Sequence, residues 1–400
     1  MPDQLVELPA FDPGDAAVLA DPYPVYDRLR PGRVARDPLG MSVFSYRDAE
    51  AAFHDPHLRP GIGVVAEQQG TGAAWGVPGR SLTDSDGAPH QRLRRAVSPW
   101  FSARRVGMLR DRTRALVDEI LDDVLAEQRP LDAMTELADI IPARLFCWMI
   151  GAPDADAALV AELSKDLLLV FAADPRHGPT IAAARVRLAD YVAEVAARAR
   201  RQPGDDLTTM LQHGVANGSL DPGDDLCLLE ELVSAAVDNT AATAALALKV
   251  LAEHPAVWRL LHDHPDLIAP AVEECGRLEP SIRTIVKVAT APTTVGGVDV
   301  DTGTFVTLRV PATHRDPDVF DEPATFRLGR ATQPGQLSFG LGRHYCLGAS
   351  LGRMEVTEIV GGLVRRAPAA ELLPGAELDI NGFGVVHHLP LRLVPEAVLR

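Results

Sequence analysis

Between the Asp221-Pro222-Gly223 stop and about Glu253 runs a stretch that is apolar nearly all round from Leu226 to Leu251. In helical form its ~32 residues span ~48 Å, enough to cross a whole domain. A helix without a wet face has to be wrapped on every side, so it belongs at the centre of the protein. The rest of the 400-residue chain supplies the wrapping. From about residue 90 to 280 apolar residues recur at three- and four-residue spacing, as in Leu109, Leu116, Val117, Ile120, Leu121, Val124 and Leu125. Short extended pieces stand around Met41-Ser42-Val43-Phe44-Ser45 and again beyond residue 285. There Val295 to Val300 and Thr304 to Leu308 read as strands joined by a glycine turn. The expected fold is mainly α with a smaller β part, as a single domain over residues 1–400.

Charge narrows the partners. The balance of 39 Lys+Arg against 55 Asp+Glu leaves −16, so neither nucleic acid nor a membrane surface is an expected partner. No uncharged stretch reaches the ~18 residues of a spanning helix. Met1-Pro2-Asp3-Gln4 lacks the basic start of a secretory leader. Cys147, Cys227, Cys275 and Cys346 form no CxxC pair, which argues against a disulfide scaffold or a zinc finger. The expectation is a cytoplasmic protein.

The most unusual segment is Phe339-Gly340-Leu341-Gly342-Arg343-His344-Tyr345-Cys346-Leu347-Gly348, followed at once by a helical run from Ala349 to Val364. Glycines let a backbone turn tightly and approach a flat or bulky group. A cysteine just ahead of a helix sits where free N–H groups and the helix dipole stabilise thiolate. Thiolate is a soft, strongly donating ligand for iron. A lone cysteine beside a turn is more often structural, and it is the whole decapeptide that favours a ligand.

That decapeptide resembles the FxxGxHxCxG haem-binding signature of the cytochrome P-450 family, in the FGxGxHxCLG form of its soluble bacterial members. Glu274-Cys275-Gly276-Arg277 is similar to the family's ExxR, and His314-Arg315-Asp316-Pro317 resembles its N-R-D-P. Phe320 to Arg330 resembles the FxxPxxFxxxR meander. The opening Asp21-Pro22-Tyr23-Pro24-Val25-Tyr26 and the segment Asp86 to Arg95 look like bacterial members too. The resemblance runs through nearly the entire chain in the right order.

What it implies is a haem-thiolate monooxygenase, of the kind found in bacterial secondary metabolism, with haem b as cofactor and Cys346 as its axial ligand. Phe339, Gly340 and Gly348 would shape the cysteine loop, and Ala235 would lie against the haem. His90 and Arg94, four apart on one helical face, would take propionates with His344 and Lys287. Lys287 stands where the family usually has arginine, and it keeps the charge but loses the two-pronged fork. Glu274 and Arg277 with Arg330 would form a structural ion pair and its third member; an exposed helix pair is the plainer alternative.

In the central helix the family pattern A-G-x-(D/E)-T-(T/S) reads Ala235-Ala236-Val237-Asp238-Asn239-Thr240. Splitting O2 takes two protons, and Asp238 holds the acid position. Asn239 replaces the usual threonine, although a carboxamide is a poor proton carrier. Thr240 lies ~100° further round the helix, and Ala236 in place of glycine narrows the groove. Three explanations of Asn239 stay open: water or a polar substrate group completes the relay, hydrogen peroxide is used directly, or Asn239 anchors a substrate oxygen.

By analogy with the family, the pocket walls should include Ile62 and Val64 in the 59–80 loop, Phe171, Ala235, Ala236, Ile285, Val286 and Phe383. They imply a mostly apolar small-molecule substrate. Arg92, Arg95, Arg104, Arg105, Arg343 and Arg353 lie on segments that resemble the family's cysteine-side face. A basic patch there would suit an acidic ferredoxin, itself fed by an NAD(P)H-dependent ferredoxin reductase. A solvated arginine-rich face is the ordinary alternative. Peroxide use, coupling or dealkylation chemistry, and a non-catalytic haem-thiolate sensor remain as alternative functions.

Overall fold

The computed structural model describes residues 7–64, 81–172, 175–330, 335–379 and 385–396, with the backbone alone described at 171, 172, 175 and 379. In chain order, the elements that matter here begin with β1 (Val34–Arg36), β2 (Gly40–Val43), α1 (Tyr46–His54), β3 (Leu58–Pro60), α2 (Gly87–Val97) and α3 (Ala103–Glu127). Then come β4 (Leu131–Asp132), α4 (Ile140–Met149), α5 (Ala157–Leu168), α6 (Gly178–Arg201), α7 (Asp224–Ala236), α8 (Asp238–Ala252) and α9 (Ile268–Leu278). The last are β5 (Thr284–Ala289), β6 (Thr293–Val295), β7 (Val298–Val300), β8 (Phe305–Arg309), α10 (Val310–His314), α11 (Ala349–Arg366), β9 (Ala369–Leu372) and β10 (Pro390–Val394). Helix dominates and the strands are short, as the periodicity predicts.

The chain divides into two compact units, one built from residues up to 62, 273–346 and 379–385, the other from 63–272, 347–378 and 386 onward. In the first, five strands run in the order β1-β2-β8-β5-β3. The β2–β8 pair is parallel, matching Gly40 with Phe305 and Val43 with Leu308, and the other pairs are antiparallel. All five residues of β8 are buried, which its run Phe305-Val306-Thr307-Leu308 requires of a strand covered on both faces. Met41, Val43, Phe53, Leu58, Val306, Leu308, Phe320 and Leu337 make the core beneath it. The expected pairing of Val295–Val300 with Thr304–Leu308 is corrected: β6 and β7 form a hairpin of their own around Gly296-Gly297, and β8 pairs with β2 and β5.

In the second unit α7 and α8 are packed by α4, α5, α6 and α11, α3 packs on α11, and β4, β10 and β9 form an antiparallel sheet. Asp224–Ala252 is long and apolar enough to span a membrane, yet most of it is buried within this unit. The expectation of one unbroken helix is corrected here. The helix breaks at Val237 (φ −94°, ψ −67°), so that α7 ends at Ala236 and α8 starts at Asp238. On the near side of the break Ser234 Oγ donates to the Glu230 carbonyl (3.3 Å), and beyond it Thr240 Oγ1 donates to Ala236 (3.1 Å) and Thr243 Oγ1 to Asn239 (2.7 Å). Side chains that bond back to the preceding turn bend helices.

Candidate functional site

Of the four cysteines, Cys147, Cys227 and Cys275 are buried and Cys346 is exposed. Burial pushes the Cys147 thiol up to about 12 and raises that of Cys275, so neither is a thiolate at neutral pH. Cys346 ends a loop whose turns are set by Gly340 (φ +65°) and Gly342 (φ +66°), a backbone region that penalises any side chain. A Cβ on Gly340 would lie 3.4 Å from the Phe53 ring, and one on Gly342 would lie 3.3 Å from the Phe53 carbonyl. The loop thus rests directly on α1. Its inner bonds run from Gly340 N–H to Leu337 (2.9 Å) and from Cys346 N–H to Phe339 (2.8 Å). Three residues after the thiol, α11 begins.

Lys287, in β5, is 4% exposed, and its Nζ stands 5.2 Å from the centre of the Phe53 ring. The same phenyl ring therefore meets the lysine and Gly340 of the cysteine loop. Sequence reasoning missed Phe53, whose only signal is a place in a helical period. His344 lies in a short turn at 342–344 and is half-buried, as is Phe339.

Glu274 and Arg277 are buried and paired through two contacts of 2.8 Å each. Arg330 Nε donates to Glu274 Oε1 (2.9 Å), as does the Arg327 N–H (2.9 Å). Burial by itself would raise this carboxyl, but the Arg277 and Arg330 guanidinium groups outweigh it and hold it below the usual range. The other edge of Arg277 binds the carbonyls of His314 (2.9 Å) and Pro323 (2.6 Å). The cluster ties α9 to α10 and to the meander.

In the second unit Asp86 caps α2, which carries His90 (2% exposed) and the half-buried Arg94. Two contacts bind this region to α7. The Glu231 carboxylate, 4% exposed, accepts from Leu82 N–H (2.6 Å), Thr83 N–H (2.6 Å) and Ser81 Oγ (3.1 Å). Arg92 pairs with Asp221 (3.0 Å) and with the fully buried Asp224. Arg105 pairs with Asp205. At these two of the arginines expected on a basic patch, the positive charge faces a neighbouring acid.

At the break, Ala235 is exposed while Ala236, Asp238, Asn239 and Thr240 are half-buried. Asn239 Nδ2 points back to the Ala235 carbonyl (3.4 Å). Desolvation raises the Asp238 carboxyl to about 6; Asp139 adds to the rise, and Lys165 and His387 oppose it. Lys165 Nζ is itself held by Asp139 (2.5 Å). None of these three neighbours carries a sequence motif. An acid with this value exchanges protons near neutral pH.

Ile285 and Val286 lie half-buried in β5, Ile62 and Val64 are half-buried at residues 62–64, and Phe171 falls in a turn at 169–172. Phe383, and the 65–80 part of the expected loop, lie outside the described residues.

The donor set can be tested against a haem. Within the first unit it offers an exposed thiol, a glycine-hinged loop around it, and Lys287 and His344 as side chains able to face carboxylates. These residues fit the group. Comparison with known proteins points the same way. The family model described as Cytochrome P450 matches residues 266–367. Luteothin monooxygenase of Streptomyces thioluteus is 30% identical over 96% of both chains. Nocardicin C N-oxygenase of Nocardia uniformis subsp. tsuyamanensis is 33% identical over 90% of this chain and 91% of its own. Among solved structures, CalO2 superposes with a TM-score of 0.88 at 29% identity, over 96% of this chain and 99% of that one.

Proposed function

Because the chain belongs to the cytochrome P450 family and is a monooxygenase of that family, we propose that it inserts one oxygen atom of O2 into a mostly apolar small molecule. Relatives named for luteothin and nocardicin C support a microbial secondary metabolite as substrate. The observation that carries the reading is the loop of Phe339 to Gly348, with its two left-handed glycines and an exposed thiol next to a helix start.

Haem b is the cofactor this reading requires, with Cys346 as iron ligand and His90, Arg94, Lys287 and His344 on its propionates. When bound, it supplies O2 binding and the redox chemistry of O–O cleavage, driven by thiolate donation. The protein's own part is to place charge and move protons. Lys287 offers a propionate one buried positive charge, which the Phe53 ring also stabilises. Asp238 holds a proton at its carboxylate oxygens and releases it near neutral pH. Asn239 offers a fixed N–H to a substrate oxygen or a water, while the proton itself travels through water. Glu274, Arg277 and Arg330 hold the framework and move no protons.

Electrons would come from a ferredoxin and its NAD(P)H-dependent reductase, in the cytoplasm. A second reading is favoured by Asn239 at the expected hydroxyl position: hydrogen peroxide supplies oxygen and electrons together. Ferrous carbonyl spectra of the purified protein and of Cys346→Ser test the ligand, and product per NAD(P)H against product per peroxide separates the two readings. A wild-type carbonyl spectrum of the histidine-ligated type would overturn the haem-thiolate assignment.

A further inference from the structure

His314 stands where the family pattern has asparagine, and it is fully buried at the end of α10. Its Nδ1 faces the Arg277 carbonyl (3.1 Å), and its Nε2 faces the Leu337 N–H (2.6 Å). A carbonyl only accepts and an amide N–H only donates. The two partners therefore fix one state, a neutral imidazole that donates from Nδ1 and accepts at Nε2. Burial, together with the Arg277 charge, keeps the ring neutral, against the pull of the carbonyls it faces.

Leu337 is the root of the cysteine loop. Its carbonyl takes the Gly340 N–H, and the next bond inward joins Cys346 N–H to Phe339. The residues beside it are also tied down: Tyr46 Oη donates to the Gly335 carbonyl (2.8 Å) and Gln336 Nε2 to Glu273 (2.9 Å). Of these three ties, only the His314 bond grips the backbone of Leu337 itself.

We propose that His314 is a positioning residue for Cys346: its Nε2, by accepting the Leu337 N–H, sets the register of the loop that presents the thiolate. The proposal rests on Cys346 being the iron ligand. An asparagine at 314 ends where Nδ1 lies and reaches the Arg277 carbonyl alone. A glutamine is one carbon longer, and its oxygen reaches the place of Nε2. The pair His314→Asn and His314→Gln therefore separates the two bonds.

The holoenzyme and both variants are compared by amide hydrogen exchange over 335–346 and by the rate at which the ferrous carbonyl complex loses its thiolate-type band on warming. His314→Asn loses protection at Leu337 and converts about tenfold faster, the scale of one buried hydrogen bond. His314→Gln stays near wild type in both readouts. Equal behaviour of the two variants, or an Asn variant that matches wild type, overturns the proposal. A wild-type protein without the thiolate band would sink the ligand assignment instead, while exchange at Leu337 still decides whether His314 sets the loop.

Discussion

Thr240 Oγ1 donates to the carbonyl oxygen of Ala236 at 3.1 Å, so a side chain bridges the break at Val237. The hydroxyl next to Asn239 is thereby occupied by the backbone. Thr240→Val should cost about 1 kcal/mol of stability, the worth of one such bond, and leave product formed per NAD(P)H nearly unchanged. Asn239→Thr, which restores a hydroxyl in the expected register, should raise that ratio by a factor of about 2–10. Loss of coupling in the Thr240 variant alone would put the relay on Thr240.

Asp238 is an acid whose folded-state value, about 6, exceeds its ordinary 3.8 because it is desolvated and faces Asp139. Between those two values the folded chain holds more protons than the unfolded one, so this group's contribution to stability falls as pH rises through that window. Asp238→Asn removes the penalty. At pH 7.5 it should stabilise the protein by up to about 3 kcal/mol, with the gain gone below about pH 4, while turnover drops ~100-fold. Denaturant titrations at the two pH values, run beside steady-state rates, check both halves. A variant no more stable than wild type at pH 7.5 contradicts the burial argument.

His314 titrates in the opposite sense. It is a base held down at about 3 by desolvation, so from pH 6.5 down to 3 the unfolded chain takes up a proton that the folded one refuses. Its contribution to stability is complete above pH 6.5 and declines by up to about 1.4 kcal/mol per pH unit below that. Replacement by Gln should flatten the acid side of the stability profile by that slope. An unaltered slope would mean that another group carries the acid sensitivity.

The cysteine loop, the ExxR pair and the His90/Arg94 helix were legible because each signal lies within ten residues, where spacing fixes geometry. The core helix was legible from its composition, but its break was not. No proline or glycine marks Val237, and the bend arises from Asn239 and Thr240 reaching back to carbonyls. The partners of Arg92 and Arg105 were hidden for a different reason. Asp224 and Asp205 are 132 and 100 residues away in sequence, and no local pattern brings such residues together. The same holds for Phe53 beside Lys287, and for Leu337 beside His314.

Glu274 compensates two guanidinium groups in a buried place, and breaking such a cluster costs more than forming it gains, because a charge is left behind. Glu274→Gln leaves Arg277 without a counter-charge and should cost about 3–5 kcal/mol. Arg330→Lys keeps a charge near Glu274 but loses the bonds of its guanidinium to the Asp321, Glu322 and Thr325 carbonyls, and should cost less. Thermal unfolding and haem retained after gel filtration rank the two. The reverse order would locate the anchor in the meander.

Glu231 poses the same question inside the apolar helix. Its two oxygens accept from two backbone N–H groups and one hydroxyl, and the turn so held leads within three residues to the Asp86 cap of the His90 helix. A glutamine fits the space but must turn one NH2 toward a backbone N–H, which leaves two donors facing each other at a cost of about 1–3 kcal/mol. Alanine removes the carboxylate from all three donors, leaving Thr83 N–H only its bond to Ser81 Oγ, and should cost more. Because the turn precedes α2 directly, both changes should also loosen haem, which a purely internal defect in α7 would not do. The decisive comparison is hydrogen exchange at Leu82 and Thr83 beside haem loss to apomyoglobin. Faster exchange with normal haem retention would confine Glu231 to the turn, and faster loss of both would extend its role to the seating of His90 and Arg94.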